Sequence, residues 1–198
     1  MLSKVLSLGF KGIDGFGVTV EVDVAGGLPS FNIVGLPDTN IKESRDRVLS
    51  AIKNSGFELP SKKIVVNLAP AEIKKTGTHY DLPIAVGIIL ALDGNRISAD
   101  IDISKIGFVG ELALDGSIKP VIGILPMLIS MKEQSLFDKV IIPEQNAREA
   151  VLSEVNFFTA KNLKDVFLFL KGDMMLNSSL TEGDIPSVKK EYLDFSDV

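Results

Sequence analysis

The sequence predicts a mixed α/β (α+β) fold, a central mixed sheet with helices packed on it. Three observations carry this. Residues 18–24 alternate apolar and polar side chains with the period of a half-buried strand. Residues 82–92 are apolar on nearly every face, as a helix inside a core must be. From Lys139 onward, short β-branched or aromatic runs alternate with helical stretches.

Taken in order, the strand at 18–24 is followed by the turn residues Gly26-Gly27-Leu28-Pro29, and Phe31-Asn32-Ile33-Val34 reads as its hairpin partner. The cluster Gly12, Gly15 and Gly17 precedes a strand and reads as turn chemistry. After Gly35-Leu36-Pro37, Asp38 is placed to cap a helix with the stripe Ile41, Val48, Leu49 and Ile52, ending before Gly56. Residues 62–68 are strongly β-branched and read as a strand, residues 70–78 as a polar loop. Asp81 reads as the cap of the apolar helix, with Pro83 tolerated in its first turn. Residues 106–111 and 113–119 suggest a hairpin across Asp115-Gly116. A helix from Pro120 to about 134, a strand at 139–142, a helix at 144–154, a strand at 156–159 and a helix at 163–170 complete the domain. Beyond Gly172 periodicity stops, and residues 173–198 read as a linker and the opening of something further.

With 198 residues, 45% hydrophobic and 24% charged, one folded domain plus a tail is expected. The chain has no cysteine, which removes disulfides and thiolate metal sites and suits a cytoplasmic setting. No stretch reads as a signal peptide or bilayer span, so no membrane partner is expected. A net charge of −5 argues against a domain held to nucleic acid by bulk charge. Between residues 40 and 80, however, eight bases face only four acids. Lys42, Arg45, Arg47, Lys62 and Lys63 form a candidate phosphate-contact patch, or else a solvated face.

Chemistry is hard to place. A P-loop ends in Gly-Lys-Ser/Thr, and no Gly-Lys pair occurs. No serine sits in a Gly-x-Ser-x-Gly context. The single histidine, His79, has no metal-ligand partner at useful spacing. No catalytic residue, resident cofactor or metal ligand is therefore expected. The segment Lys74-Lys75-Thr76-Gly77-Thr78-His79 runs into a helix N-terminus, where free amides favour an anion, and is a candidate interaction loop. Asp81 as cap would compete for the same amides.

Three segments carry a family resemblance: Phe31-Asn32-Ile33-Val34-Gly35-Leu36-Pro37-Asp38, Gly77-Thr78-His79-Tyr80-Asp81-Leu82-Pro83-Ile84-Ala85-Val86-Gly87, and Gly107-Phe108-Val109-Gly110-Glu111-Leu112-Ala113-Leu114-Asp115-Gly116. Together they resemble the N-terminal domain of the bacterial Mg-chelatase-like AAA+ ATPases of the ComM and YifB type. The resemblance covers about residues 1–172. It implies the ribosomal protein S5 domain 2-like fold of the Lon protease domain, with a βαβ crossover of the rarer left hand. Lon-type enzymes carry a serine where this chain has about Pro83 and a lysine where it has about Leu125, so the resemblance implies no protease. It further implies a non-catalytic accessory domain whose parent uses ATP and Mg²⁺ in a hexameric ring and works on DNA in natural transformation and recombination. Its partners would be its own AAA+ module, neighbouring subunits and DNA. A nucleic-acid-binding module in its own right and a degenerate Lon-like serine hydrolase are the alternatives.

Overall fold

The computed structural model describes residues 1–178. Strand β1 (Leu2–Lys11) turns through Gly12 and Ile13 into β2 (Asp14–Ala25), and the two pair antiparallel from Leu2↔Asp23 to Lys11↔Asp14. The sequence pattern assigns no element to residues 2–11, where Ser3 and Ser7 fall among the apolar residues. Both serines are nonetheless buried: Ser3 Oγ donates to the Gly87 carbonyl at 2.7 Å and Ser7 Oγ to that of Phe108 at 2.8 Å. Two satisfied hydroxyls thus occupy inward positions that hydropathy assigns to solvent.

Strand β3 (Ser30–Val34) corrects a second expectation. It is not the hairpin partner of β2 but runs parallel to β4 (Lys63–Ala69), in register from Ser30↔Lys63 to Val34↔Asn67, and β4 itself pairs antiparallel with β2. Helix α1 (Thr39–Asn54) makes the crossover. Strand β4 buries Ile64, Val66 and Leu68, whereas β3 buries no residue fully, so β4 takes the inner place and β3 the edge. Asp38 caps α1 as expected, accepting from the Ile41 amide at 2.9 Å, and Ile41, Val48, Ala51 and Ile52 form its buried stripe.

Helix α2 (Asp81–Leu92) is buried along all but its last residue and packs on β1, β2 and α1. The expected hairpin at 106–119 divides. Residues 106–108 form β5 (Ile106–Phe108), parallel to β1, while β6 (Glu111–Leu112) and β7 (Ile118–Lys119) make a separate ribbon across Asp115-Gly116. Helix α3 (Ile124–Gln134) starts later than Pro120 suggests, because the chain first turns through left-handed Gly123. Strand β8 (Lys139–Pro143) is parallel to β5. The helix expected at 144–154 is reduced to α4 (Ala147–Ala150) between two 3₁₀ turns. Asn146 is pinned there, accepting from the Val121 amide and donating to the Val121 carbonyl, each at 2.9 Å, and Glu154 closes the segment at φ 55°. Then follow β9 (Phe157–Ala160), parallel to β8, and α5 (Leu163–Lys171), which Asn162 caps. Strand β10 (Asn177–Ser178) lies antiparallel to β9.

The main sheet is mixed and eight-stranded, ordered β10-β9-β8-β5-β1-β2-β4-β3. Its two faces carry separate cores. One contains Val20, Val66 and Ile141 with α1, α2 and α5, the other Leu8, Val140 and Ile142 with α3 and α4. Each such fully buried aliphatic side chain contributes about 1.5–3 kcal/mol. None of the described helices is long and apolar enough to cross a membrane.

Candidate functional site

The segments around Asp38, His79 and Gly110 are far apart in sequence but meet at one junction. The loop before α2 lies against the turn before α1. Asp38 donates its amide to the Lys75 carbonyl at 3.0 Å, and Lys75 donates its amide to the Leu36 carbonyl at 3.1 Å. The Asp38 carboxylate that caps α1 also accepts from the Gly77 amide, at 3.2 Å. On the far side, Gly110 donates to the His79 carbonyl and Leu82 to the Gly110 carbonyl, both at 3.0 Å. Thr78 Oγ1 donates to Glu111.

The charged groups of the junction are turned inward. Lys75 is wholly buried, and its ammonium donates to the carbonyls of Gly35, at 3.1 Å, and Pro70. Burial lowers its pKa. Asp81 does not cap α2. Its carboxylate instead receives Arg47 Nε at 2.8 Å, Arg47 Nη2 at 3.2 Å and the Leu112 amide at 3.3 Å. Burial pushes the Asp81 carboxyl up to about 6, with Arg47 holding it back, while the same pair raises Arg47. The opposite pulls reflect unequal burial: Asp81 is 1% exposed and Arg47 25%. His79 is buried against Tyr80, ring centroids 4.1 Å apart, and its Nε2 has no hydrogen-bond partner among the described residues. Desolvation drops its pKa to about 4, against smaller upward pulls from the Leu8 backbone and Asp38. Burial likewise raises the Tyr80 hydroxyl.

Of the loop residues expected to meet an anion, Lys74 and Thr76 are exposed, Gly77 and Thr78 are half-buried, and Lys75 and His79 are buried. The α2 amides of Asp81 and Leu82 already donate to Thr78 and Gly110 carbonyls. Of the patch residues, Lys42, Arg45, Lys62 and Lys63 reach solvent, while Arg47 is committed to Asp81. Sequence reasoning missed the Arg47–Asp81 pair and Glu111. Pairing across such a separation leaves no local pattern. Pro83 is buried in the first turn of α2 and Leu125 lies half-buried in that of α3, so neither position offers a nucleophile or a base. Among the described residues no group of three or more His, Asp or Glu could hold a metal ion. Most donors and acceptors of this arrangement are spent on one another, the exceptions being the buried His79 Nε2 and the buried Tyr80 hydroxyl, which have no hydrogen-bond partner among the described residues.

The chain matches the family profile described as "Subunit ChlI of Mg-chelatase" over residues 20–146, well over half its length. The chain belongs to this family. It is similar to the competence protein ComM of Haemophilus influenzae, 39% identical over 201 residues, which cover 100% of this chain and 38% of ComM. It is similar to the protein YifB of Salmonella typhimurium, 40% identical over 174 residues, covering 86% of this chain and 33% of YifB. A more distant similarity, 28% over 153 residues, links it to Lon protease 2 of Bacillus subtilis, across 70% of this chain and 26% of that enzyme. The chain thus spans between a third and two fifths of the ComM and YifB chains it matches. Family membership and the Lon similarity agree with the mixed α/β fold expected from the sequence.

Proposed function

We propose that this chain is a non-catalytic N-terminal accessory domain of a Mg-chelatase-like AAA+ ATPase of the ComM and YifB type. The domain takes residues 1–172 together with the segment that carries buried Leu176 and strand β10, and residues 179–198, which lie outside the described residues, are a linker and the start of the ATPase module. The parent is an ATP-driven DNA-remodelling or branch-migration motor that serves natural transformation and recombination in the cytoplasm. Its module binds ATP and Mg²⁺ and assembles into a hexameric ring, and this domain packs against that module and neighbouring subunits.

The observation that carries the reading is the use of the junction's polar groups. Lys75, Asp81 and Thr78 are engaged with Gly35, Arg47 and Glu111. The two groups left without a partner among the described residues, His79 Nε2 and the Tyr80 hydroxyl, are both buried away from solvent, with burial raising the hydroxyl's pKa instead of activating it. The similarity to ComM across the whole chain supports the pathway. The test is a pair of assays. The purified chain should turn over neither ATP nor labelled casein above a matched blank, while the full-length parent hydrolyses ATP faster when branched DNA is added. Peptide or nucleotide turnover by the isolated chain would remove the accessory reading. A parent indifferent to DNA would remove the motor.

A further inference from the structure

The end of the sheet formed by β3 is built unlike a protected edge. Natural sheets blunt exposed edges with lysines, prolines or inward charges. Ser30-Phe31-Asn32-Ile33-Val34 contains none of these, and among the described residues nothing pairs with its outer side. Apolar side chains beside it are open to water: Leu28 is 89% exposed, Val34 48% and Leu36 54%.

Alongside the Ser30 end of this strand lies a groove of about 340 Å³, between β3, α1 and the segment leading into β4. Leu49 and Leu59 are among its apolar lining, and Arg45, Lys53 and Lys62 are its charged side chains. No carboxylate lines it among the described residues, although the chain as a whole carries −5. Asp46 leans on Arg45 from outside, at 3.8 Å.

We propose that β3 and this groove are a docking site for an extended, acidic peptide segment, which adds a strand to the sheet at β3 and sets its carboxylates against Arg45, Lys53 and Lys62. The inference goes beyond the proposed function and does not depend on it. Two features choose a peptide. A free strand edge offers backbone N–H and C=O groups in the spacing of another strand, which a peptide matches and a nucleic-acid backbone does not. The cations beside it select for carboxylates and set the register. A second copy of this chain fits poorly, because in β3–β3 pairing the opposing Ser30–Val34 strand carries no carboxylate to meet Arg45, Lys53 and Lys62.

The probe is a labelled peptide of about eight residues, the length of an ordinary strand, alternating valine and glutamate. Its comparators are the same peptide N-methylated at alternate amides, a valine–lysine counterpart and a thymidine oligonucleotide. The acidic peptide should bind the chain saturably at low salt, with backbone amide shifts centred on residues 30–34. The triple variant R45E/K53E/K62E, altered at solvent-facing side chains, should weaken binding about tenfold if each cation supplies an ordinary surface contact. The N-methylated peptide should fail to bind. Equal binding of the N-methylated or lysine peptide would overturn the proposal, as would tighter binding of the oligonucleotide or self-association through β3 without peptide.

Discussion

Arg47, on the third turn of α1, reaches across to Asp81 at the start of α2 and grips both carboxylate oxygens, Nε at 2.8 Å and Nη2 at 3.2 Å. One partner is 1% exposed and the other 25%, so the loss of either has unequal consequences. Arg47→Ala leaves a buried carboxylate unpaired, and at pH 7.5 should cost about 3 kcal/mol or more. Asp81→Asn should cost less, because Arg47 can turn to water. The pH dependence follows from the Asp81 carboxyl, held at about 6 against an ordinary 3.8. Between those values the fold holds the proton that the unfolded chain releases, so this group's contribution falls as pH rises from about 4 to 6. The penalty of Arg47→Ala should therefore shrink at pH 5, where Asp81 can take up a proton. Urea denaturation of both variants at the two pH values checks this, and equal penalties at both would contradict it.

His79 gives the opposite slope. Its imidazole is held near 4 against an ordinary 6.5, so between these values the unfolded chain binds a proton that the fold refuses. This contribution is present above about pH 6.5 and is lost as pH falls toward 4. His79 is the only histidine of the chain, so its NMR signal needs no assignment. It should remain neutral down to about pH 5. A titration midpoint between 6 and 7 would mean that the ring meets solvent.

Gly35 tests the junction at its backbone. Its φ is +94°, and an added Cβ would lie 2.2 Å from the Leu68 carbonyl oxygen, a backbone atom that cannot step aside. Gly35→Ala should cost more than about 3 kcal/mol. At Gly27, φ is +129° but nothing lies within 4 Å. Gly27→Ala carries the strain alone and should cost about 1 kcal/mol. The difference between the two variants in chemical denaturation is the measurement, and similar values would remove the close contact as the cause.

Lys75 separates a fastening role from ligand binding. Lys75→Met removes both donations, to the Gly35 and Pro70 carbonyls, so stability should fall by about 2 kcal/mol. Inorganic phosphate should stabilise wild type and variant to the same small extent in thermal melts. A variant of unchanged stability that has lost a phosphate response would make the loop an anion seat instead.

How much of this could be read from residues alone varied with distance along the chain. Strands β2 and β4 and helices α1 and α5 were legible because their burial repeats with a local period, and Asp38 marks the start of α1. Strand β1 was not, since Ser3 and Ser7 hide its inward face behind hydroxyls that Gly87 and Phe108 satisfy. The partner of β3 was misassigned because sequence proximity favours β2, while burial of Ile64, Val66 and Leu68 gives that place to β4. At the junction, Asp38 was legible as a cap, but Asp81 was assigned the same role and serves Arg47 instead. Arg47 looked like one more surface cation. Only the tertiary fold brings it to a buried acid.

The double duty of Asp38 ties two distant stretches of backbone into one cooperative unit. Its Oδ1 takes the Ile41 amide and its Oδ2 the Gly77 amide, so a movement of Asp38 releases the helix start and the loop together. In hydrogen exchange those two amides should therefore show similar protection and a similar response to denaturant. Fraying of α1 and release of the loop before α2 are then one motion, and a partner that grips either stretch quiets both.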